Sequence, residues 1–309
     1  MPDRKAQTRA LLMLGLVMVF WAGNSIVGRA VRFDVPPFTL AFLRWSGALL
    51  VVLPFALPSL RQDWPAIRKG WPWLLVLGLL GVGAFNALLY TGLRYTTATN
   101  ALLLQAGIPA LVVLLDRLFF GVRAGRWQLL GVLLSTLGVV AIVFEGDAMA
   151  ALRLHFGQGD LLVLASVGVW SFYTVFLRKR PAIAPVSFIA ATFAIGVCAM
   201  APLAVLEWQG GEVVRWTPLA LGSILYVALL PSLAAYIMFN SATATLGPAR
   251  AGQAITLMPL FGALLSALLL GERLHGYHFA GMAMILAGIA ASMLQTRRKQ
   301  VLAPMPPRR

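Results

Sequence analysis

One cysteine, three histidines and ten acidic residues are all that the 309 positions hold of these types. The lone Cys198 rules out an internal disulfide, and its place within an apolar run predicts a small buried hydrophobe. Charged residues make up 11% of the chain, against about one-quarter in a soluble domain, which excludes a soluble globular fold. There is no H-E-x-x-H motif and no pair of carboxylates facing across apolar runs, so an intramembrane enzyme lacks its catalytic set and no cofactor is expected. Basic residues are nowhere interleaved with stacking aromatics in a polar segment, which leaves nucleic acid without a platform.

What fills the chain instead is hydrophobic: 60% of residues, with a mean hydropathy of +0.84. Apolar runs of transmembrane length recur between short charged clusters. They predict an all-α membrane protein with ten spans, at 10–31, 37–60, 71–93, 96–120, 126–145, 159–179, 185–207, 217–240, 247–270 and 276–295. Arg4, Lys5 and Arg9 before the first run imitate a signal peptide. "FWAGN" offers no small-x-small cleavage site, so the segment reads as a retained helix.

The formal charge of +15 reads as topology. With the N-terminus inside, 18 of the 25 Lys and Arg fall in cytoplasmic segments and six on the other side, Arg44 lying within the second span. The positive-inside rule then puts both termini in the cytoplasm of a cell that exposes this inner membrane.

The two halves of the chain repeat. Trp21 matches Trp170 at an offset of 149; Pro37 matches Pro185 and Pro54 matches Pro202 at 148. Pro109 and Pro259, Gly121 and Gly271, Gly131 and Gly281, and Gly138 and Gly288 match at 150. Five spans per half is an odd number, so the second half inserts upside down. The expected units are 1–145, an external linker at 146–158, 159–295, and a basic cytoplasmic tail at 296–309. Inverted repeats around a midplane site are the architecture of many secondary transporters.

Particular stretches carry a family resemblance: "FWAGNSIVGRAV", "PPFTLAFLRW", "LRYTTATNALLLQAGIPALVVLL" and "TATLGPARAGQAITLMPLFGALLSALLLGERLHGYHFAGMAMILAGI". Together they resemble the EamA family of the drug/metabolite transporter superfamily over about Leu11 to Leu294. The most specific part is "LLLGERL"; the first half has "FFGVRAG" there, with Val122 in place of the acidic residue. The resemblance implies ten helices in two inverted five-helix repeats and export of amino acids or related metabolites, nearest to the amino-acid exporters, including an aromatic amino acid exporter.

Polar residues inside spans face protein or a water-filled cavity. Trp21, Asn24, Ser25 and Gly28 share one helix face, as do Trp170, Tyr173 and Thr174, and Ser232, Tyr236 and Asn240. Asn86 with Tyr90, Gln105, and Gln253 with Thr256 lie well inside other spans. Interhelical glue is the competing account for each group. Their concentration in spans 1, 3, 4, 6, 8 and 9, which pair across the repeat, favours one central cavity of aromatic rings, amides and hydroxyls without unpaired charge. Such a wall suits a zwitterionic small-molecule substrate in a lipid-embedded carrier. Trp71, Trp73, Trp127, Trp208 and Trp216 fit the membrane interface instead.

Arg44 reads as snorkelling ahead of binding a substrate carboxylate. Pro109 and Pro259 are expected as mid-span kinks that shape gates. Glu272, His275 and His278 wind through about 600° of helix, so no metal site is expected. No acidic residue or histidine lies mid-span, which predicts a facilitator or exchanger. A drug or nucleotide-sugar carrier, and a membrane scaffold, are the alternatives, and the oligomeric state is left open.

Overall fold

The computed structural model describes residues 4–96, 98–105, 107–143, 157–270 and 275–301. Among them every regular element is helical. The helices are α1 (Arg4–Ala30), α2 (Pro37–Gly78), α3 (Phe85–Tyr95), α4 (Ala98–Gln105), α5 (Ile108–Phe120), α6 (Arg126–Val143) and α7 (Gln158–Phe176). There follow α8 (Pro185–Gln209), α9 (Pro218–Val227), α10 (Ala235–Leu246), α11 (Pro248–Ala254), α12 (Leu257–Leu270) and α13 (Gly276–Val301). Among the described residues, five helical stretches are long and apolar enough to cross a membrane: Lys5–Ala30, Pro37–Tyr95, Gln158–Lys179, Pro185–Gln209 and Pro218–Leu246. The expected external linker and most of the expected tail lie outside the described residues.

Pro37–Tyr95 is helical throughout, where the sequence predicts two spans separated by a polar turn. A straight helix would hold Arg44 and Asn86 about 60 Å apart, yet their side chains lie 2.7 Å apart. The chain therefore reverses inside this stretch. Four prolines, Pro54, Pro58, Pro65 and Pro72, interrupt α2; each removes an amide donor and relaxes the helical ladder.

Equivalent helices of the two halves pack against each other head to tail. The Glu207 carboxylate, in the last turn of α8, accepts from Phe38 N at 3.0 Å and Thr39 N at 2.8 Å in the first turn of α2. Asp63, beyond the first run of α2, accepts from Ala184 N at 2.9 Å, at the start of α8. An acid at a helix N-terminus satisfies orphan amides and meets the positive end of the dipole. α6 and α13 are likewise antiparallel: a Cβ on Gly138 would strike the Gly281 carbonyl, and one on Gly288 would strike the Gly131 carbonyl. Two of the three glycine pairs matched across the halves, Gly131 with Gly281 and Gly138 with Gly288, are thus points where two backbones approach closely.

The predicted fourth and ninth spans are each split. α4 gives way to α5 around Gly107, and α11 to α12 at Ile255–Thr256. Pro109 and Pro259 accordingly stand in the first turns of α5 and α12, not at mid-helix kinks as expected. First-turn positions need no amide donor, so proline is tolerated there and marks a restart. Cys198 also departs from expectation, on the exposed side of α8.

Candidate functional site

α1, α3 and the segment Ala228–Ala234 that leads into α10 converge on Arg44 of α2. Arg44 is 2% exposed and about two turns into α2, with its guanidinium turned inward rather than towards the interface. Its Nε donates to Ser232 Oγ at 2.7 Å. Nη1 donates to Asn86 Oδ1 at 2.7 Å, Tyr90 Oη at 2.5 Å and, longer, Asn24 Oδ1 at 3.2 Å. Tyr90 in turn donates to Asn24 Oδ1 at 2.7 Å. The guanidinium also lies over the Trp45 ring, 4.6 Å from its centroid. The snorkelling expectation is overturned: Arg44 is held inward by neutral dipoles, and the wall expected to be without unpaired charge contains a cation.

Two irregular segments shape the backbone around it. The ladder widens to i→i+5 bonding at Leu79–Ala84 and Ala228–Ala234, a feature frequent at functional sites. Each frees a carbonyl for an aromatic side chain from the other half. Trp21 Nε1 donates to Pro231 O at 3.0 Å, and Tyr236 donates to Gly81 O. Gly81 and Pro231 are 150 residues apart, so the two accepting carbonyls are repeat mates, whereas their donors are not.

Above Arg44 the cavity wall is aromatic. Trp170 lies 5.0 Å from Trp21, 4.7 Å from Phe85 and 5.8 Å from Tyr236, measured between ring centroids. The enclosed space is about 20 Å³, room for one water-sized sphere. Its lining comes in repeat-related pairs: Trp21 with Trp170, Asn86 with Tyr236, Gln105 with Ile255, and Ile108 with Met258. Both helix breaks thus border the cavity. A second space of about 600 Å³ lies on the side of the Arg178–Arg180 cluster and is lined by Thr174, Asn240 and Thr243 among others. Between the two spaces Tyr173 donates to Asn240 Oδ1 at 2.8 Å.

Of the residues singled out in the sequence, Trp21, Asn24, Asn86, Gln105, Trp170 and Tyr236 line the small cavity. Tyr90 stands behind it on Arg44, and Tyr173 with Asn240 divides it from the larger space. Gln253 and Thr256 do not join them. Gln253 Nε2 donates across to Gly288 O at 3.1 Å, and Thr256 Oγ1 back to Gln253 O at 2.8 Å. These two serve as packing polar groups, the competing account given above. Glu272 lies outside the described residues; His275 and His278 stack on each other and on Tyr277. The sequence reading missed Phe85, Leu89, Ile108, Ile255 and Met258 as lining, and Arg44 as its centre. Applying the 150-residue offset to Gln105 would have found Ile255.

At the opposite end from the arginine cluster, Arg94 and Glu212 form an ion pair, Nη1 to Oε1 2.8 Å. The hydrogen bonds from Arg94 hold the Glu212 carboxyl below its ordinary pKa.

Comparison with known proteins follows the same division of the chain. The sequence pattern of the EamA-like transporter family matches residues 8–144 and again 157–294. An uncharacterized transporter of Archaeoglobus fulgidus is 31% identical over 282 residues, covering 90% of this chain and 95% of that one. A probable amino-acid metabolite efflux pump of Escherichia coli is 26% identical over 301 residues, covering 93% and 95%. A solved crystal structure superposes with a TM-score of 0.71 at 21% identity, covering 94% of this chain and 98% of the other.

Proposed function

The chain belongs to the EamA-like transporter family, a multi-pass membrane transporter, and on that premise we propose that it exports small zwitterionic metabolites, amino acids foremost, by alternating access. The observation that carries the reading is the cavity itself: two halves each contribute a tryptophan, a third-span-type side chain and a broken-helix side chain to one enclosed space. Its rings and amides suit an amphipathic zwitterion, the rings meeting an ammonium through their faces. The names of relatives in Escherichia coli and Salmonella typhimurium, probable amino-acid metabolite efflux pumps, agree with that substrate class.

The reading includes ten spans in two inverted five-helix repeats. Support comes from the double family match and from the antiparallel pairing of α2 with α8 and α6 with α13. The bias of 18 Lys and Arg to six supports cytoplasmic termini in an inner membrane. The 600 Å³ space beside Arg178 and Arg180 is then the cytoplasmic vestibule, and Tyr173–Asn240 its inner closure. Pro109 and Pro259 start the helix halves that would swing during opening.

The test is flux into proteoliposomes of the purified chain with a broad panel of labelled amino acids. Saturable movement of at least one member is expected. Flux of a sugar nucleotide or an uncharged drug with no amino acid moving would replace the substrate class, and no flux of any solute would favour a scaffold.

A further inference from the structure

We propose that Arg44, with Trp170 Nε1 and Ser25 Oγ, forms an anion anchor that recognises the carboxylate of the substrate. The site therefore selects for an anionic head and does not require the ammonium that the aromatic faces accommodate. This rests on the transport reading above and goes further, because it assigns the chemistry that the cavity demands.

The charge on Arg44 is uncompensated. Neither ion pair among the described residues includes it. Five of the six described carboxylates are engaged elsewhere: Asp116 on Arg178, Glu212 on Arg94, Glu207 on the start of α2, Asp63 on the start of α8, and Asp160 on Thr96 and Gly157 N. The sixth, Asp34, lies in the turn between α1 and α2 and forms no ion pair with Arg44. A cation buried away from a counter-charge is strongly disfavoured unless fixed dipoles or a ligand balance it. Here the dipoles are four neutral oxygens, and all four bonds use Nε or Nη1. The second terminal nitrogen, Nη2, enters none of them.

An independent observation points the same way. Trp170 Nε1 and Ser25 Oγ are both buried without a hydrogen-bond partner, and both residues line this cavity. An indole nitrogen can only donate, and a buried donor left without a partner is costly. The obvious acceptors nearby, Asn24 Oδ1 and Asn86 Oδ1, already serve Arg44. The space therefore has surplus donors, a fixed positive charge and a shortage of acceptors. A carboxylate supplies what is missing: two oxygens with about four lone-pair directions, on a plane that matches a guanidinium fork. Among the described residues no acidic group faces the cavity to require an ammonium, and the rings of Trp21, Trp170 and Phe85 accommodate an apolar body beside the anchored head. At about 20 Å³ the space takes no such body, so anchoring goes with parting of the Trp21–Trp170 contact.

The experiment is competition against a transported amino acid, read by tryptophan fluorescence of the detergent-purified full chain, with phenylalanine, 3-phenylpropanoate and phenylalanine amide as probes. Phenylalanine and 3-phenylpropanoate should compete within a few-fold of each other, and the amide at least tenfold more weakly. Trp170→Phe, which keeps a ring and removes the donor, and Ser25→Ala should each weaken the two carboxylates several-fold and leave the amide unchanged. Arg44→Lys should retain part of the preference and Arg44→Gln none. An amide that competes as well as the acids overturns the anchor, as does equal weakening of all three probes in the Trp170 and Ser25 variants. If only the desamino carboxylate binds, the amino-acid reading fails while the anchor stands.

Discussion

Trp21 and Trp170, equivalent residues of the two halves, meet edge to face, with centroids 5.0 Å apart and planes at 88°. A contact between repeat mates places both halves' first helices at one centre. Around it the polar bonds repeat with their partners exchanged. Tyr90 donates to Asn24 in the first half, and Tyr173 donates to Asn240 in the second. Asn24 corresponds to Tyr173 at an offset of 149, and Tyr90 to Asn240 at 150. One tyrosine–asparagine bond therefore flanks the tryptophan pair in each half, and the first is tied to Arg44.

Removing one of these bonds should unbalance the carrier. Tyr173→Phe leaves Asn240 Oδ1 without its donor, a loss of about 1–3 kcal/mol, enough to shift a two-state equilibrium roughly tenfold or more. The larger space should then communicate with the cavity more often. A cysteine at Ser25, in a Cys198→Ala background, should react faster with a thiol reagent supplied from the side of Arg178. Unchanged labelling would mean that the bond does not act as a closure.

Much of this arrangement was legible in the chain. Face periodicity brings Trp21, Asn24 and Ser25 together, and the repeat offset ties them to Trp170 and Tyr173. Helix direction around the axis was not legible for isolated polar groups. Gln105 and Gln253 are equally deep and equally polar, yet one lines the cavity and the other binds a backbone carbonyl of α13. Arg44 was misread for the same reason. An arginine one to two turns from a helix end reaches water as easily as an inner cavity; only the network of Asn24, Asn86, Tyr90 and Ser232 decides, and it joins residues up to 188 apart. The breaks at Gly107 and Ile255–Thr256 hid behind prolines that suit kinks and helix starts equally.

The topology prediction rests on charge asymmetry alone. Reporter fusions after Arg9 and after Gln295 should both report cytoplasm. An external signal at either end would invert or break the five-plus-five scheme.

Acid should loosen the Arg94–Glu212 pair and nothing in the cavity. The folded carboxyl is held below its ordinary pKa by Arg94. Its contribution is therefore complete above the ordinary value of about 4.3 and is lost as pH falls through the lower folded value. With both side chains partly exposed, the pair is worth at most about 1 kcal/mol. Glu212→Gln should lower the thermal unfolding temperature slightly at pH 7 and match the parent once pH has fallen below the lowered folded value. A gap that persists in acid would assign the effect to packing.

The final prediction concerns energy coupling. Proton-driven transport needs a group that gains and loses a proton as the site alternates. Among the described residues the cavity holds no carboxylate and no histidine, and arginine does not release its proton in proteins. Reorienting the empty carrier would move the buried charge of Arg44 without a counter-ion, which is unfavourable. Reorienting it with an anionic head in place would not. Exchange should therefore outrun net flux: substrate inside proteoliposomes should accelerate uptake of labelled substrate several-fold, and an imposed pH gradient without a substrate gradient should drive none. Concentrative uptake driven by pH alone would refute this, and Glu272, outside the described residues, would be the first carboxylate to substitute.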